Sequence, residues 1–319
     1  MYDLKDISVI IPTYNRVQDL KKTLDSFYPE IKNLNEVVIV DQSKDNLTKK
    51  LINDKKNKNL RYIFLDTPSI PIARNTGIEN CSKNSKIIIF IDDDVNLGKN
   101  YFCEILKIFN LNPEARAVAA YVPENSKKSQ PRVDKLLRKI FFISYLEHDK
   151  CKMTSAYGNV YPLSLSETIN AEWLPGVNMA YKKEVFKEQK FDENLLGYTV
   201  VEDIDFTFRL FKKYPKSLYI TPFAKIKHRV SQIERYPTKK MSFVNQIDHF
   251  YFYYKNLDTG IISNIKFIWS IIGITLLRIL KAIVSRRKMD LLKLKFYFIS
   301  LVYCLKNRGK IKKGILRDF

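Results

Sequence analysis

The chain has 319 residues, 45% hydrophobic and 28% charged, which supplies a core for one large domain, or a domain with an appendage, and excludes wholesale disorder. Nine glycines exclude collagen-like or flexible-linker repeats, and four scattered cysteines without a CxxC pair argue against a disulfide framework or structural zinc and for a reducing cytosol. A net charge of +21 points to nucleic acid or an anionic membrane surface, and the excess concentrates in residues 261–319, where fourteen Lys/Arg face only Asp290 and Asp318.

In chain order, the apolar runs ISVIIP (7–12), EVVIV (36–40), RYIFL (61–65), KIIIFI (86–91) and RAVAAYV (116–122) predict strands. Helices are expected over 17–28, near 45–55, over PIARNTGIEN (71–80) and over 100–110. The N-terminal stretch enters its strand pattern within seven residues, with no basic n-region or cleavage site, and reads as mature protein. Strands that are apolar without alternation suit a sheet covered on both faces, as βαβ crossovers produce. Ligands bind such sheets beyond the carboxyl ends of the strands. Three polar clusters fall at those ends: TYNR (13–16), DQSKD (41–45) and DDD (92–94).

Residues 123–170 are polar and basic, with one helical pattern around 133–147, and read as a mobile loop or an acceptor-binding insert. Regular pattern resumes with EWLPGVNMAY (172–181), a short helix at 182–187 and a helix over VEDIDFTFRLFKK (201–213), in which Ile204, Phe208 and Phe211 share a face. Strands follow at SLYITP and AKIKHRV. From about residue 242 the chain is aromatic and apolar with interspersed cations. Its longest uncharged run, 267–277, is short of the ~20 residues of a membrane span, while helices lying in the interface fit. The expected division is 1–240 for the α/β unit and 241–319 for a helical extension.

Three adjacent carboxylates each make the next harder to ionise. Asp92 and Asp94, one residue apart at a strand end, present oxygens to a hard cation such as Mg²⁺ or Mn²⁺, and such a cation can bridge the phosphates of a nucleotide. Alone, DDD reads equally as a solvated acidic turn. The pattern D-x-D-x-[TV] after an apolar strand also opens haloacid-dehalogenase-type phosphatases, and DDDV fits it, although there the motif ends the first strand and here about the fourth. Pro71 at the first helical position puts Arg74 within or just past the first turn, where a cation opposes the helix dipole. That placement makes sense if its guanidinium faces a phosphate. Glu202 and Asp203 open a helix, so dipole stabilisation alone can account for them. His228 follows a strand, whereas His148 and His249 carry no motif.

The ordered set SVIIPTYNR, VVIVDQSKDN, PSIPIARNTGI, IIIFIDDDV and EDIDFTFRL resembles family-2 glycosyltransferases, inverting enzymes with the GT-A fold, over roughly residues 6–230. The resemblance implies an open, mostly parallel sheet with helices on both faces. It implies a nucleotide-sugar pocket lined by Pro12, Thr13, Tyr14, Arg16, Arg74, Asp92 and Asp93. Asp41 would contact the base, with Gln42 standing where the family has a second aspartate. Asp94, helped by Asp92, would hold Mn²⁺ or Mg²⁺, with His228 reaching the metal or the diphosphate. Asp203 would be the general base, with Glu202 the near alternative. Trp173 and Gly176 would lie under the sugar and acceptor, Trp173 reading equally as core. The implied donor is a UDP- or dTDP-sugar, and the acceptor a glycan or a lipid-linked group. The competing classes are a phosphohydrolase using DDDV and a non-catalytic basic protein, although no nucleic-acid module is recognisable. The tail fits peripheral attachment to the anionic cytoplasmic leaflet or a helical subdomain with a wet cationic face.

Overall fold

The apolar runs become strands where periodicity places them, alternating with helices: β1 (Ile7–Thr13), α1 (Val17–Phe27), β2 (Glu36–Asp41), α2 (Leu47–Asp54), β3 (Leu60–Phe64), α3 (Ile70–Asn80) and β4 (Ile87–Ile91). These belong to a computed structural model that describes residues 1–126, 130–156, 158–233, 236–256 and 260–316. Small parts of the 123–170 insert, and the tail's last residues with Arg317 and Asp318, lie outside the described residues.

β5 (Val95–Leu97), α4 (Tyr101–Leu111) and β6 (Ala117–Ala120) follow, then the insert. There the expected helix is shorter, α5 (Arg132–Ile140), and Phe142 in the left-handed region (φ 54°) turns the chain away from it. β7 (Tyr145–Glu147), β8 (Lys152–Met153) and β9 (Asn159–Pro162) form a small sheet of their own. β10 (Ile169–Ala171), β11 (Asn178–Lys182), α6 (Val185–Glu188), α7 (Glu202–Lys213), β12 (Leu218–Thr221) and β13 (Ile226–His228) complete the α/β unit.

The main sheet has the order β10-β12-β6-β11-β4-β1-β2-β3. β1, β2, β3 and β4 pair in parallel, and β11 runs antiparallel between β4 and β6. The chain builds outward from β1 through β2 to β3, then returns to lay β4 on the other side of β1. The strand order therefore reverses between β1 and β4, which opens a crevice at their carboxyl ends. Successive side chains point to opposite faces. Ile10, Ile88 and Phe90 enter one core with α7 and Trp173, while Ile7, Val9, Ile11, Ile87 and Ile89 enter the other with α1 and α4. Both faces are covered, which is why these runs read as continuously apolar.

The tail folds into α8 (Thr238–Asn256), α9 (Ile261–Ser285), α10 (Lys288–Lys306) and α11 (Arg308–Lys312). α8, which the expected boundary at 240 assigns almost wholly to the extension, is packed into the α/β core. Phe243, Ile247, Phe250 and Phe252 join the cluster around α7, and Asn256 donates to the buried Asp205 carboxylate. α9 is long and apolar enough to cross a membrane by length and composition, with mean hydropathy 2.0 and 22% of that stretch buried. The uncharged run of 267–277 understates it, because Lys266 and Arg278 interrupt the run without ending the helix. One stripe of α9 (Ile261, Ile265, Ile268, Ile272, Leu276, Ile283) is exposed, and Phe267, Ser270, Gly273 and Ala282 are buried. Phe141, just after α5, packs where a Gly273 side chain would lie, and the Trp269 indole N–H donates to the Ile140 carbonyl.

Candidate active site

The crevice between β1 and β4 is a cavity of about 460 Å³, within the usual range of small-molecule clefts. Pro12, Thr13, Tyr14 and Arg16 wall one side, Asp92, Asp93 and Asp94 the floor, and Arg74, Trp173, Gly176, Glu202, Asp203 and His228 the rest.

The three aspartates do different things. Asp93 turns to β1, accepting from the Thr13 hydroxyl at 2.8 Å and pairing with the Arg16 guanidinium at 3.3 Å. Asp94 turns the other way, to β13. The antiparallel pairing of β13 with β5 sets His228 opposite Val95, which puts His228 Nε2 3.0 Å from Asp94 Oδ1. The Ser231 N–H donates to the other Asp94 oxygen at 2.7 Å. Between them Val230, a β-branched residue, is held in the left-handed region (φ 57°), a strained conformation that persists only where its surroundings impose it. Asp92 points into the cavity, with Arg74 3.9 Å away.

Asp92, Asp94 and His228 offer ligand atoms within 4.8 Å of one another. Two carboxylates and an imidazole form an oxygen–nitrogen donor set that suits Mn²⁺ or Mg²⁺ better than a thiophilic metal. Electrostatics agrees with a cation. Burial, and then the charge of Asp94, pushes the Asp92 carboxyl up to about 6, although 37% of its side chain is open to the cavity. Burial pushes Asp93 up to about 7 against the pull of Arg16 and Thr13. Burial would raise Asp94 too, but the hydrogen bond and charge of His228 hold it below the ordinary carboxylate range.

The second acidic pair opens α7. Arg74, from the first turns of α3, is buried among carboxylates: its guanidinium lies 3.3 Å from Glu202 Oε1 and donates to the Gly176 carbonyl at 3.3 Å. Arg74 lines the cavity as expected, and there its charge also offsets these acidic neighbours. Burial, and then the Asp203 charge, pushes Glu202 up to about 8. Asp203 is raised by burial as well, opposed by Arg74 and by N–H groups, with Gly176 N–H donating at 2.6 Å and Ile204 N–H at 2.8 Å.

One expectation changes, and two others gain a physical reason. Asp41 does not line the cavity; it is fully buried, accepting from the Ser43 N–H and the Tyr62 hydroxyl, and Gln42, the next residue along the chain, forms the wall. Gly176 is required by the site's own packing, since a Cβ there would sit 2.9 Å from Asp203 Oδ2 and 3.2 Å from Arg74 Nη2. Trp173 serves both readings: its ring N–H donates to the Val160 carbonyl from the core, while it lines the cavity. Arg229 had no motif to mark it, yet its guanidinium donates to the Asp19, Asp93 and Val95 carbonyls and so pins the turn carrying the aspartates.

Residues 8–189, over half of the chain, match the model of glycosyl transferase family 2. The chain belongs to that family. DDDV accordingly ends the fourth strand of a glycosyltransferase sheet. GlyA, a glycosyltransferase of Streptococcus pneumoniae, is 25% identical over 195 residues, 60% of this chain and 26% of that protein. A glycosyltransferase of Rickettsia felis named as uncharacterized is 35% identical over 95 residues, 30% of this chain and 15% of that protein. The chain thus matches only a minor part of either relative. Among solved structures, S. aureus TarS 1-349 with UDP-GlcNAc superposes with a TM-score of 0.58 at 12% identity, covering 97% of this chain and 83% of that one. The mannosyltransferase PcManGT of Pyrobaculum calidifontis, with GDP-Man and Mn²⁺, gives 0.55 at 14%, covering 94% and 86%. These likenesses establish the GT-A fold with a C-terminal helical extension.

Proposed function

We propose that the protein is an inverting, metal-dependent glycosyltransferase that moves a sugar from a nucleoside-diphosphate donor, a UDP- or dTDP-sugar, to a hydroxyl of a glycan or lipid-linked acceptor. The observation that carries this is the Asp92–Asp94–His228 donor set lying across one cavity from Asp203. A bound Mn²⁺ or Mg²⁺ supplies Lewis-acid neutralisation of the departing diphosphate. Thr13, Tyr14 and Arg16 flank the nucleotide, and Asp93 fixes the Arg16 head. Asp203 takes the proton of the acceptor hydroxyl as it attacks the anomeric carbon from the face opposite the leaving diphosphate. Its N–H donors favour the ionised form a base needs. Glu202, pushed up to about 8, is protonated at neutral pH and serves Arg74 instead. The nucleotide sugars and Mn²⁺ bound by TarS and PcManGT support this reading of the shared fold.

The exposed stripe of α9, the exposed face of α5 (Val133, Leu136, Ile140) and the surrounding cations fit an anionic bilayer, with the helices lying in its interface. The opposite face of α9 is committed to the protein: Phe267 stacks on Tyr253 of α8 at 3.8 Å, and Thr275 hydrogen-bonds Tyr297 of α10. An in-plane placement on the cytoplasmic leaflet keeps those contacts, whereas spanning would break them.

The test of the transferase reading is thermal: UDP or dTDP with Mn²⁺ raises the melting temperature of the full chain, and Asp94→Ala abolishes the gain. A gain that survives both EDTA and Asp94→Ala overturns the assignment of the metal.

A further inference from the structure

A second cavity of about 210 Å³ shares Asn159, Val200 and Ile204 with the catalytic cavity and is otherwise walled by Val201, the insert, α8 and α9. Its chemistry is the inverse of its neighbour's. No Asp or Glu lines it among the described residues, and its polar lining includes Arg278 of α9 and Gln246 of α8. The Arg278 guanidinium lies 4.6 Å over the Tyr297 ring, and no carboxylate pairs with it among the described residues. Burial lowers its pKa from the ordinary arginine value. Gln246 is 6% exposed, and its Nε2 has no hydrogen-bond partner among the described residues. Arg278 is half-buried, and an unsatisfied buried donor such as Gln246 Nε2 is costly. Finding both on one cavity wall calls for an anionic occupant that accepts from each.

The position says whose anion it is. Ile204, a shared wall residue, donates its N–H to Asp203 Oδ1, so a group in the second cavity lies one residue from the base. The floor of the catalytic cavity is acidic and accommodates donor phosphates only together with a cation, whereas the second cavity is cationic without one.

We propose that this cavity binds a phosphate group of the acceptor, which sets the acceptor hydroxyl at Asp203. The inference rests on the transferase reading and specifies its acceptor class as phosphorylated. Guanidinium and amide donors recognise a phosphate by several charge-assisted hydrogen bonds. That phosphate belongs either to a soluble phosphoester or to a lipid phosphate, the latter brought by the bilayer on the exposed side of α9.

The experiment titrates the full chain, in EDTA and without nucleotide, with glycerol 3-phosphate, with dodecyl phosphate and with glucuronate as a carboxylate control, by calorimetry. Both phosphates bind, glucuronate more weakly, and Arg278→Met and Gln246→Glu each weaken phosphate binding by about tenfold or more, while Arg16→Ala does not. Gln246→Glu is close to isosteric and decides the matter if Arg278→Met fails to fold. Tighter dodecyl phosphate assigns a lipid phosphate, and equal affinities a soluble one. Phosphate binding that is absent, matched by glucuronate or indifferent to both variants overturns the proposal. The nucleotide and Mn²⁺ thermal gain of the wild type, measured in parallel, tells that failure from failure of the transferase reading. If the gain is absent, the acceptor role falls with it.

Discussion

Replacing Glu202 by glutamine tests the electrostatics of the site in a way that is independent of substrate. Its Oε1 lies 3.3 Å from Arg74, and its Oε2 is buried without a hydrogen-bond partner among the described residues. The carboxyl titrates at an ordinary 4.5 in the unfolded chain and about 8 in the fold, because burial and then Asp203 oppose its charge. Folding therefore takes up a proton between those values. The stability that protonated Glu202 contributes is fully present below 4.5 and is lost as pH rises towards 8. At about 1.4 kcal/mol per pH unit the ceiling is roughly 5 kcal/mol. Glu202 shares the burden with Asp203 and Asp92, so we expect about 2–3 kcal/mol from this residue. Glutamine matches the neutral acid in shape and keeps an oxygen for Arg74. Glu202→Gln should leave stability unchanged at pH 5 and raise it by ~2–3 kcal/mol at pH 8.5. Thermal unfolding followed by circular dichroism from pH 5 to 9 in EDTA reads the difference. Parallel curves for wild type and variant, or a variant less stable at pH 8.5, would show that Glu202 is ionised in the fold and refute the reasoning.

Asp203→Asn should leave the nucleotide and Mn²⁺ thermal gain nearly intact while transfer falls by about 10² to 10⁴, the usual worth of a positioned base; loss of transfer in Glu202→Gln but not in Asp203→Asn would reverse the two roles. Gly176→Ala drives a methyl against Asp203 and Arg74, and should cost ~1–3 kcal/mol of stability and at least about tenfold in kcat, read by melting and initial rates; wild-type rates would show that the Asp203 position tolerates displacement. For the membrane placement, α8 belongs to the core, so a truncation at 240 would unfold the chain and the test must keep it whole. Co-sedimentation with vesicles of graded anionic content should be salt-sensitive and fall several-fold in Ile265→Lys/Ile272→Lys, and pelleting that ignores lipid charge and both substitutions would count against it.

Much of the scaffold was legible because strands buried on both faces leave contiguous apolar runs. Once Ile7–Thr13 and Ile87–Ile91 are recognised as such strands, the polar residues that follow them must collect at one edge of the sheet. That is how DDD, TYNR and the acidic start of α7 could be placed in one crevice before any contact was known. The 25-residue length of α9 was hidden by the two cations that interrupt its apolar run.

Side-chain direction was not legible, because it depends on partners distant in the chain. Nothing in the three identical letters DDD says that Asp93 turns to Thr13, 80 residues away, or that Asp94 turns to the backbone of Ser231, 137 residues away. The pairing of β13 with β5 brings His228 and Arg229 to the aspartates, and that pairing joins short strands with no pattern strong enough to announce it. The same holds for Asp41, which yields the cavity wall to Gln42, for Arg74, which pairs with Glu202 128 residues away, and for Arg278 and Gln246, which share a cavity only because α8 and α9 pack on the insert. Local periodicity is a property of neighbouring residues and survives in the sequence. The neighbours of a buried charge, and hence its protonation and its chemistry, are set by strand order and helix packing, which exist only once the chain has folded.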